Sequence, residues 1–393
     1  MDLFKKLNDF ILTITSRNEN FWEQRKLGKV IERRTQKREF SDLPYIEYAD
    51  IIPNIGRLNK DIFSRKNTKQ GIYFQKNDIL FGKLRPYLNN WLKPQFEGIA
   101  VGDFWILNGI KLNNDFLYYY IQTKKFSDVA NVTTGTKMPR SDWNLVSNLK
   151  IKFPNFEEQQ NIGKLFYSLE NLITLYDRKL KLLSQVKKYF LDNLFAEKEY
   201  PNLRFKGFTD AWEQRKLGTI TDTYSGGTPQ VSVKDYYSNN EIPFIRSSDI
   251  HKNKTELYIS SKGLENSSAK LVSKGHILYA LYGATSGEVD ISKIDGAINQ
   301  AVLCINAHND LNYFLMLFLS KNKDKIVRKY IQGGQGNLSA SIIKKIKVFT
   351  TSELEETKIS NLVKILSDII TLYENKQQHL TEIKKELLNT MFI

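Results

Sequence analysis

One segment of seven residues occurs twice in this chain of 393 residues without a single change. The segment Trp-Glu-Gln-Arg-Lys-Leu-Gly occupies residues 22–28 and returns at residues 212–218, 190 positions later. Tryptophan is rare and the order is specific, so chance is a poor explanation for the match. A period of this length is far too long for a stacked-repeat protein, and it predicts a tandem duplication into two similar domains.

The excess of positive charge is distributed in the same twofold manner. The net charge of the chain is +15, to which residues 1–155 contribute +10 and residues 201–350 contribute +7. The segments 156–200 and 351–393 carry net charges of 0 and −2. Two basic blocks indicate a polyanion that is contacted in two places, most simply nucleic acid. The alternative is a basic protein whose charge serves only its solubility.

The two segments of low net charge are predicted to be long helices that repeat each other. In residues 157–195, apolar side chains recur at spacings of three and four, the pattern of a coiled coil. Residues 353–392 repeat the series 197 positions later, and each helix must bury its apolar stripe. The residues predicted to form the seam are Leu165, Leu169, Leu172, Tyr176 and Leu183 in the first helix and Leu362, Leu366, Ile369, Tyr373 and Leu380 in the second.

These helices are predicted to pair antiparallel within one chain and to hold the two basic domains apart. The stripe covers about 30 residues, so the seam would be roughly 43 Å long at ~1.5 Å per residue. The alternatives are a core helix in each half of the chain and a dimer of two chains.

The basic blocks are predicted to be mixed α/β, because short runs of β-forming residues precede an amphipathic helix in each. A glycine-bearing loop and a short apolar run follow that helix. The predicted strands are residues 72–74, 78–81 and 276–279, the predicted helices are residues 115–126 and 310–326, and the closing apolar runs are residues 149–153 and 346–349.

The whole chain is therefore predicted to be a pseudo-two-fold repeat of four segments. The segments are residues 1–155, the first domain with a short N-terminal helix at residues 1–16; residues 156–198, the first long helix; residues 199–350, the second domain; and residues 351–393, the second long helix.

Several kinds of chemistry have no support in the sequence. There is no P-loop motif and no glycine-rich cofactor loop in Rossmann spacing. The four histidines lack zinc-ligand spacing, and the single cysteine, Cys304, gives neither a disulfide nor a cysteine-based metal site. The apolar run near the N-terminus, residues 10–12, is too short for a signal peptide or a membrane span. We expect a cytoplasmic protein without metal, cofactor or active site of its own.

What remains is a set of side chains suited to nucleic acid, concentrated in the basic blocks. Arg suits guanine edges, Asn and Gln suit adenine edges, and Lys, Ser and Thr suit phosphates. The candidates in the first block are Lys83, Arg85, Tyr87, Lys137 and Arg140, and those in the second block are Thr228, Arg246, Ser247, Ser248, Asn299, Gln300, Asn337 and Ser339.

The chain resembles the DNA-specificity subunit, or S subunit, of type I restriction–modification systems over nearly its whole length. The first half lacks the Gly-Gly-Thr-Pro stretch and the Arg-Phe-Lys-Gly-Phe lead-in of the second half. The segments that carry the resemblance are residues 22–28 and 212–218, the lead-in at residues 203–208, Gly-Gly-Thr-Pro at residues 226–229, Ile-Pro-Phe-Ile-Arg-Ser-Ser-Asp-Ile at residues 242–250, residues 78–87, and Glu-Glu-Gln at residues 157–159.

The resemblance implies a non-catalytic subunit with two target-recognition domains, each of which reads one half of a bipartite, asymmetric site on double-stranded DNA. It implies two methyltransferase subunits as partners, which methylate adenine with S-adenosylmethionine. Two restriction (translocase–nuclease) subunits that use ATP and Mg²⁺ would join them, and this chain itself would bind no cofactor. A seam of roughly 43 Å is close to one DNA turn of ~34–36 Å, so the helices would set the spacing of the half-sites.

Three alternatives remain at this point. The chain could be the specificity subunit of another restriction system with paired recognition domains. It could be a structural coiled-coil protein that tethers protein partners. It could also be a sequence-specific enzyme with an unrecognised active site, which would require that the isolated chain bind S-adenosylmethionine.

Overall fold

The computed structural model describes residues 22–38, 42–65, 69–132, 138–237, 241–309, 311–330 and 337–392. The chain divides into two compact units. The first joins the described residues up to Arg178 with those from Glu374 onward, and the second is Lys179–Tyr373. Each unit holds one copy of the duplicated segment and part of both long helices. The predicted helix at residues 1–16 lies outside the described residues, and the predicted four-segment division stays a prediction.

The first unit is built from short strands and three short helices that precede a long one. Its strands are β1 (Glu23–Lys26), β2 (Ile31–Arg34), β3 (Lys37–Arg38), β4 (Tyr45–Ile46), β5 (Ile51–Ile52), β6 (Arg57–Leu58), β7 (Gly71–Phe74), β8 (Ile79–Gly82), β9 (Trp91–Leu92), β10 (Gly98–Ala100), β11 (Phe104–Gly109) and β12 (Lys150–Phe153). Its helices are α1 (Asn114–Tyr120), α2 (Lys124–Ala130), α3 (Trp143–Asn148) and α4 (Phe156–Leu194), which continues into the second unit.

The second unit repeats this order of elements. Its strands are β13 (Glu213–Lys216), β14 (Thr221–Ser225), β15 (Ile242–Ile245), β16 (Tyr258–Ile259), β17 (Lys270–Val272), β18 (Ile277–Ala280), β19 (Val289–Ile291), β20 (Gly296–Ile298), β21 (Val302–Ala307) and β22 (Lys347–Thr350). Its helices are α5 (Leu217–Ile220), α6 (Ser261–Glu265), α7 (Asn312–Lys321), α8 (Lys323–Tyr330), α9 (Ala340–Lys344) and α10 (Glu353–Thr390), which ends in the first unit.

Two four-stranded sheets form the body of each unit. In the first unit the strand orders are β3-β7-β10-β4 and β2-β11-β8-β9, and in the second they are β17-β20-β15-β16 and β14-β21-β18-β19. The parallel pair β4–β10 has its counterpart in the parallel pair β15–β20. The three strands β7-β10-β4 correspond to β17-β20-β15, while the fourth strand lies at opposite edges, β3 beside β7 and β16 beside β15. The units therefore share most of one mixed α/β topology despite the low identity of their interiors, which confirms the predicted fold class and internal repeat.

The duplicated heptapeptide is the strand and turn that close each unit. Strand β1 pairs antiparallel with β12, and β13 pairs with β22 in the same way. Leu27 and Leu217 are fully buried, and the amide of each donates to the backbone just before the partner strand at 2.8 Å. A Cβ atom on Gly28 would lie 2.8 Å from Ser147 Cβ, which leaves no room for a larger residue. This closure accounts for the Leu-Gly end of the repeat, whereas the side chains of Glu23–Lys26 and Glu213–Lys216 are exposed.

The two long helices pack together within the first unit. Leu165 and Leu169 of α4 share a hydrophobic core with Leu380 of α10. Lys384 Nζ of α10 lies 2.5 Å from Glu170 Oε1 of α4. The beginning of α4 therefore packs against the end of α10.

The second unit shows the reverse pairing, which makes the helices antiparallel. Leu194 at the end of α4 shares a core with Ile359 and Val363 near the beginning of α10. Lys179 Nζ lies 5.2 Å from the centroid of the Tyr373 ring. The prediction of two antiparallel helices within one chain is confirmed. The other residues of the predicted seam are partly buried: Leu172, Tyr176, Leu183, Leu362, Leu366, Ile369 and Tyr373.

Each of the two shorter predicted helices is in fact two helices, so this part of the prediction was wrong. Residues 115–126 fall into α1 and α2, because the Thr123 hydroxyl donates to Tyr120 O at 2.7 Å and accepts from Phe126 N at 3.3 Å, which caps a new helix. In the second unit α7 ends and α8 begins around Asn322. The spacing of apolar residues does not reveal either break, because in each unit the buried residues on both sides of the break pack into the same core.

Candidate nucleic-acid interface

Three backbone segments meet in the first unit at the positions of the predicted cations. Lys83 N donates to Asp103 O at 2.9 Å, and Lys83 O accepts from Ser141 N at 2.9 Å. Arg85 N donates to Pro139 O at 2.8 Å. We call residues 83–85, Asp103 and residues 139–141 the cation ledge. The ledge brings together three predicted site residues that are far apart in sequence, Lys83, Arg85 and Arg140.

The carboxylate of Asp103 lies between two of these cations. Arg140 Nε and Nη2 are each 3.0 Å from Asp103 Oδ2, and Lys83 Nζ is 3.4 Å from Oδ1. The Arg140 side chain is 49% exposed and the Lys83 side chain is 30% exposed, so both remain accessible to a ligand. The sequence predicted the two cations but not the acid that joins them.

The loop that follows Arg85 is exposed and is fixed at its far end. Tyr87, a predicted site residue, is 56% exposed within the 3-10 turn Pro86–Leu88. Asn89 Nδ2 donates to Asn54 Oδ1 at 2.8 Å, which ties this turn to the hairpin of β5 and β6. Lys137, the remaining predicted cation, lies outside the described residues.

Arg85 adopts a left-handed backbone conformation, with φ of 50°. Gly82 at the end of β8 pairs with the first residue of β11, and Ala280 at the end of β18 pairs with the first residue of β21. Arg85 and Gly283 each lie three residues further along the chain, so they occupy corresponding positions. Gly283 has φ of 84°. A left-handed conformation costs a residue with a Cβ about 1 kcal/mol or more, whereas glycine adopts it readily. The first unit therefore retains a strained arginine where the second has glycine, which points to a role for the side chain.

We expect Arg85→Gly to separate folding from recognition. The free energy of unfolding of Arg85→Gly should be about 1 kcal/mol higher than that of Arg85→Ala, because glycine relieves the backbone strain. Both variants should lose roughly 1–3 kcal/mol of specific DNA binding if Arg85 contacts a base edge. Chemical denaturation and DNA titration of both variants measure the two effects. Wild-type affinity in both variants would remove Arg85 from the interface.

The second unit brings together two loops that carry predicted site residues. Thr228 Oγ1 donates to Gln300 Oε1 at 2.7 Å, which orients the amide so that its NH₂ group points to other partners. Asn299 Oδ1 accepts a hydrogen bond from Ala301 N at 3.1 Å. A Cβ atom on Gly226 would lie 1.8 Å from Ile298 O, so glycine is required where the two loops meet.

Arg246 follows β15 and is tied to a buried carboxylate. Its Nε lies 3.3 Å from Oδ2 of Asp249, which is 3% exposed and also binds Lys252 Nζ at 2.8 Å. Burial raises the pKa of Asp249, but hydrogen bonds from Lys252 and the Arg246 backbone outweigh it and hold the pKa below its usual value. Arg246 is 40% exposed. Ser247 and Ser248 form the 3-10 turn between Arg246 and Asp249, and Ser248 is exposed.

Asn337 and Ser339 lie on either side of a buried leucine. Leu338 N donates to Leu281 O at 2.8 Å, as Ser141 N donates to Lys83 O in the first unit. The residues that precede these two donors, Asn337 and Arg140, therefore correspond. Asn337 is exposed. Ser339 caps α9, because its hydroxyl accepts from the amide three residues later at 3.3 Å. The Ser339 hydroxyl therefore has a structural partner already.

A second repeat links the two units and was missed in the sequence. Pro-Tyr-Ile-Glu-Tyr-Ala-Asp-Ile at residues 44–51 corresponds to Pro-Phe-Ile-Arg-Ser-Ser-Asp-Ile at residues 243–250. Each copy forms a strand of the parallel pair and then a 3-10 turn that ends in a buried aspartate. The shared Pro-aromatic-Ile triplet and the Asp-Ile pair that follows it could have revealed this repeat in the sequence. Arg246 is replaced by Glu47 in the first copy, which binds Lys69 Nζ at 2.6 Å.

The described residues contain no group of three or more His, Cys, Asp or Glu placed to hold a metal ion. Within the same residues, no helix combines the length and the hydropathy that a membrane span needs.

Comparison with known proteins places both units in one family. Residues 19–185 and 209–385 each match the family described as type I restriction modification DNA specificity domain. The MjaVIII type I restriction enzyme specificity subunit of Methanocaldococcus jannaschii is 21% identical in an alignment 354 positions long, gaps included, that covers 85% of this chain and 80% of that relative. The HindI specificity subunit of Haemophilus influenzae is 22% identical in an alignment 459 positions long, gaps included, that covers 93% of this chain and 98% of the relative.

Solved structures share the fold at low sequence identity. The S subunit of the type I restriction-modification system from M. genitalium superimposes with a TM-score of 0.65 at 16% identity, over 96% of this chain and 97% of that chain. A chain from a structure of a type I R-M system gives a TM-score of 0.56 at 16% identity, over 94% and 96% of the two chains. Since the family match covers most of the chain, this protein belongs to the type I restriction modification DNA specificity family and carries two copies of its domain.

Proposed function

We propose that this chain is the DNA sequence-recognition subunit of a type I restriction–modification complex and reads a bipartite, asymmetric site with one half-site per unit. The observation that carries the proposal is that both units share a backbone scaffold and place different residues at corresponding exposed positions. Arg140 in the first unit corresponds to Asn337 in the second, and Arg85 corresponds to Gly283. The specificity-subunit relatives of similar length support this reading.

The side chains of each unit favour different base edges. Arg85 and Arg140 carry guanidinium groups, which pair well with guanine O6 and N7 in the major groove. Gln300 and Asn337 carry amides, which pair with adenine N6 and N7. Lys83 and Thr228 suit phosphates, which fix the register of the protein on the duplex. Two half-sites of different sequence follow from this difference, and the complete site is then asymmetric.

The chemistry of the complex would lie in partner subunits. We propose two methyltransferase subunits that use S-adenosylmethionine and two restriction subunits that use ATP and Mg²⁺, with no cofactor bound by this chain, acting in the cytoplasm. A solved neighbour comes from an assembly of a type I R-M system, which supports a multi-subunit complex. That α4 and α10 set the spacing of the half-sites stays a prediction.

Selection of DNA from a random library tests this function. The complete chain, with its methyltransferase partners, is used to enrich duplexes over several rounds at a salt concentration near 0.15 M. We expect the enriched duplexes to share two short blocks of fixed sequence, separated by a constant number of unspecified base pairs. A control selection with the partners alone should enrich neither block.

A structural tethering protein is the competing function. It would bind DNA only through its net charge, and the selection would then yield no common sequence. Binding by charge alone also weakens uniformly with salt for every duplex. Enrichment of a single continuous block would contradict the assignment of one half-site to each unit.

A further inference from the structure

One carboxylate lies between two of the cations proposed to bind DNA, and the corresponding described positions of the second unit hold neither the acid nor the cations. Asp103 Oδ2 accepts a hydrogen bond from Arg140 Nε and lies 3.0 Å from Nη2, while Oδ1 faces Lys83 Nζ. The backbone hydrogen bonds of the cation ledge recur in the second unit, where Leu281 N donates to Ala301 O and Leu281 O accepts from Leu338 N. The positions of Lys83, Asp103 and Arg140 are therefore occupied there by Leu281, Ala301 and Asn337. The second scaffold thus folds without this group, so the fold alone does not require it.

The backbone beneath Asp103 is fixed independently of its side chain. The Asp103 carbonyl accepts from Lys83 N and from the Tyr48 hydroxyl, which itself accepts from Leu84 N at 3.3 Å. The Tyr48 ring packs against Phe104 with centroids 4.5 Å apart. A change confined to the Asp103 carboxylate therefore leaves these contacts in place.

The carboxylate restricts how the two cations can be used. Binding through Nε and Nη2 fixes the plane of the Arg140 guanidinium and leaves its Nη1 side free of Asp103. The single negative charge also cancels about half of the positive charge of the pair. Since both cations are partly exposed, these ion pairs are weak, and a stronger acceptor on DNA can replace them. A phosphate that approaches Arg140 or Lys83 meets the negative charge of Asp103, which stays beside them, whereas the neutral edge of a base meets no such repulsion.

We propose that Asp103 is a specificity-determining residue of the first unit. It holds Arg140 and Lys83 in set directions for base and phosphate, and it suppresses their sequence-independent binding to phosphates. The inference rests on the proposed function and adds a role that the cations alone do not have. An acid placed against cations penalises the wrong partner as well as orienting the right one.

Asp103→Asn tests the inference, because it removes the charge with almost no change of shape. The complete chain with its methyltransferase partners is titrated with a duplex that carries the selected site and with a duplex of equal length that lacks it, at several KCl concentrations. We expect binding to the second duplex to tighten about fivefold to tenfold, and its salt dependence to steepen by up to about one phosphate contact. The ratio of specific to non-specific affinity should fall about tenfold or more.

Two matched variants identify the cause. Asp128→Asn removes an exposed carboxylate from the same unit that pairs with Lys124 at 2.6 Å, and it should leave the ratio unchanged. Asp103→Glu keeps the charge and should keep the salt dependence of the wild type. Lys83→Gln in the Asp103→Asn background should return the salt dependence toward the wild-type value.

The outcomes separate this inference from the proposed function. If the wild-type complex does not distinguish the two duplexes, the proposed function fails. If the wild type distinguishes them and Asp103→Asn behaves like Asp128→Asn, the proposed function stands and the role of Asp103 is refuted. A variant that tightens non-specific binding and loses selectivity supports both.

Discussion

Replacing residues 30–150 with the equivalent segment of another family member should change one half-site completely and leave the other as it was. The exchanged segment contains the whole cation ledge, whereas α4 and the second unit stay unchanged. The junctions fall beside the β1–β12 closure, which the two copies conserve. A changed base pair costs about 1–3 kcal/mol, so several changes should weaken the original site by ~100-fold or more.

The reciprocal exchange is the control for this prediction. Replacing residues 220–347 should change the other half-site and leave the first intact. DNA selection with each exchanged complex identifies both blocks. If one exchange altered both half-sites, or neither, the assignment of one reader to each unit would be wrong.

The second large effect concerns stability, and we expect Glu356→Gln to stabilise the protein above pH 7. Glu356 is 4% exposed, and burial raises its pKa to about 7 from an ordinary value of 4.5. Its Oε1 accepts from Thr351 N at 2.9 Å. The corresponding residue of α4, Gln159, is neutral and 1% exposed, and it accepts from Asn113 N at 2.8 Å. Glutamine therefore already works at this helix position.

The direction with pH follows from the raised pKa. Below pH 4.5 the carboxyl is protonated in both the folded and the unfolded chain, so it carries no penalty. Between pH 4.5 and pH 7 the unfolded chain loses the proton that the folded chain retains, so the free energy of unfolding falls by about 3 kcal/mol across this window. Glu356→Gln should remove this loss. Urea denaturation of the wild type and of Glu356→Gln at pH 5 and pH 8 measures the effect. If the two proteins differed in free energy of unfolding by the same amount at both pH values, the account would be contradicted.

The neighbouring residue supplies a control of opposite sign. Glu355 is 1% exposed and binds the Arg204 Nε and Nη2 atoms at 2.8 Å each. Glu355→Gln should destabilise the protein by roughly 3 kcal/mol at pH 8, because it leaves Arg204 without its charged partner. Opposite effects at adjacent positions would exclude a general response of α10 to substitution.

The parts of the fold that depend on repetition could be predicted from the sequence. The heptapeptide ending in Gly28 and Gly218 predicted the duplication, and the three–four spacing predicted both long helices. Those signals are strong because the burial of Leu27 and Leu217 and the pairing of the long helices require apolar residues at the same positions in both copies. The breaks at Thr123 and Asn322 were missed because single capping bonds decide them without interrupting the apolar pattern.

The candidate site was predictable only in part. Cations such as Lys83 and Arg140 stand out by residue type, so they could be chosen as candidates before the structure was known. The contacts of Asp103 could not be predicted, because they come from a strand register that brings it together with residues 20 and 37 positions away. The strain at Arg85 is likewise a property of the backbone, visible in sequence only once its alignment with Gly283 is known.

The most direct test of the central claim is a genome-wide map of methylated adenines in the source cell, with this chain present and with it deleted. The account predicts that one bipartite motif is methylated when the chain is present, is unmethylated when it is absent, and regains methylation when the chain is restored. If that motif keeps its methylation after deletion, or the methylation that depends on the chain falls on a continuous motif, the chain does not read DNA as two separate half-sites.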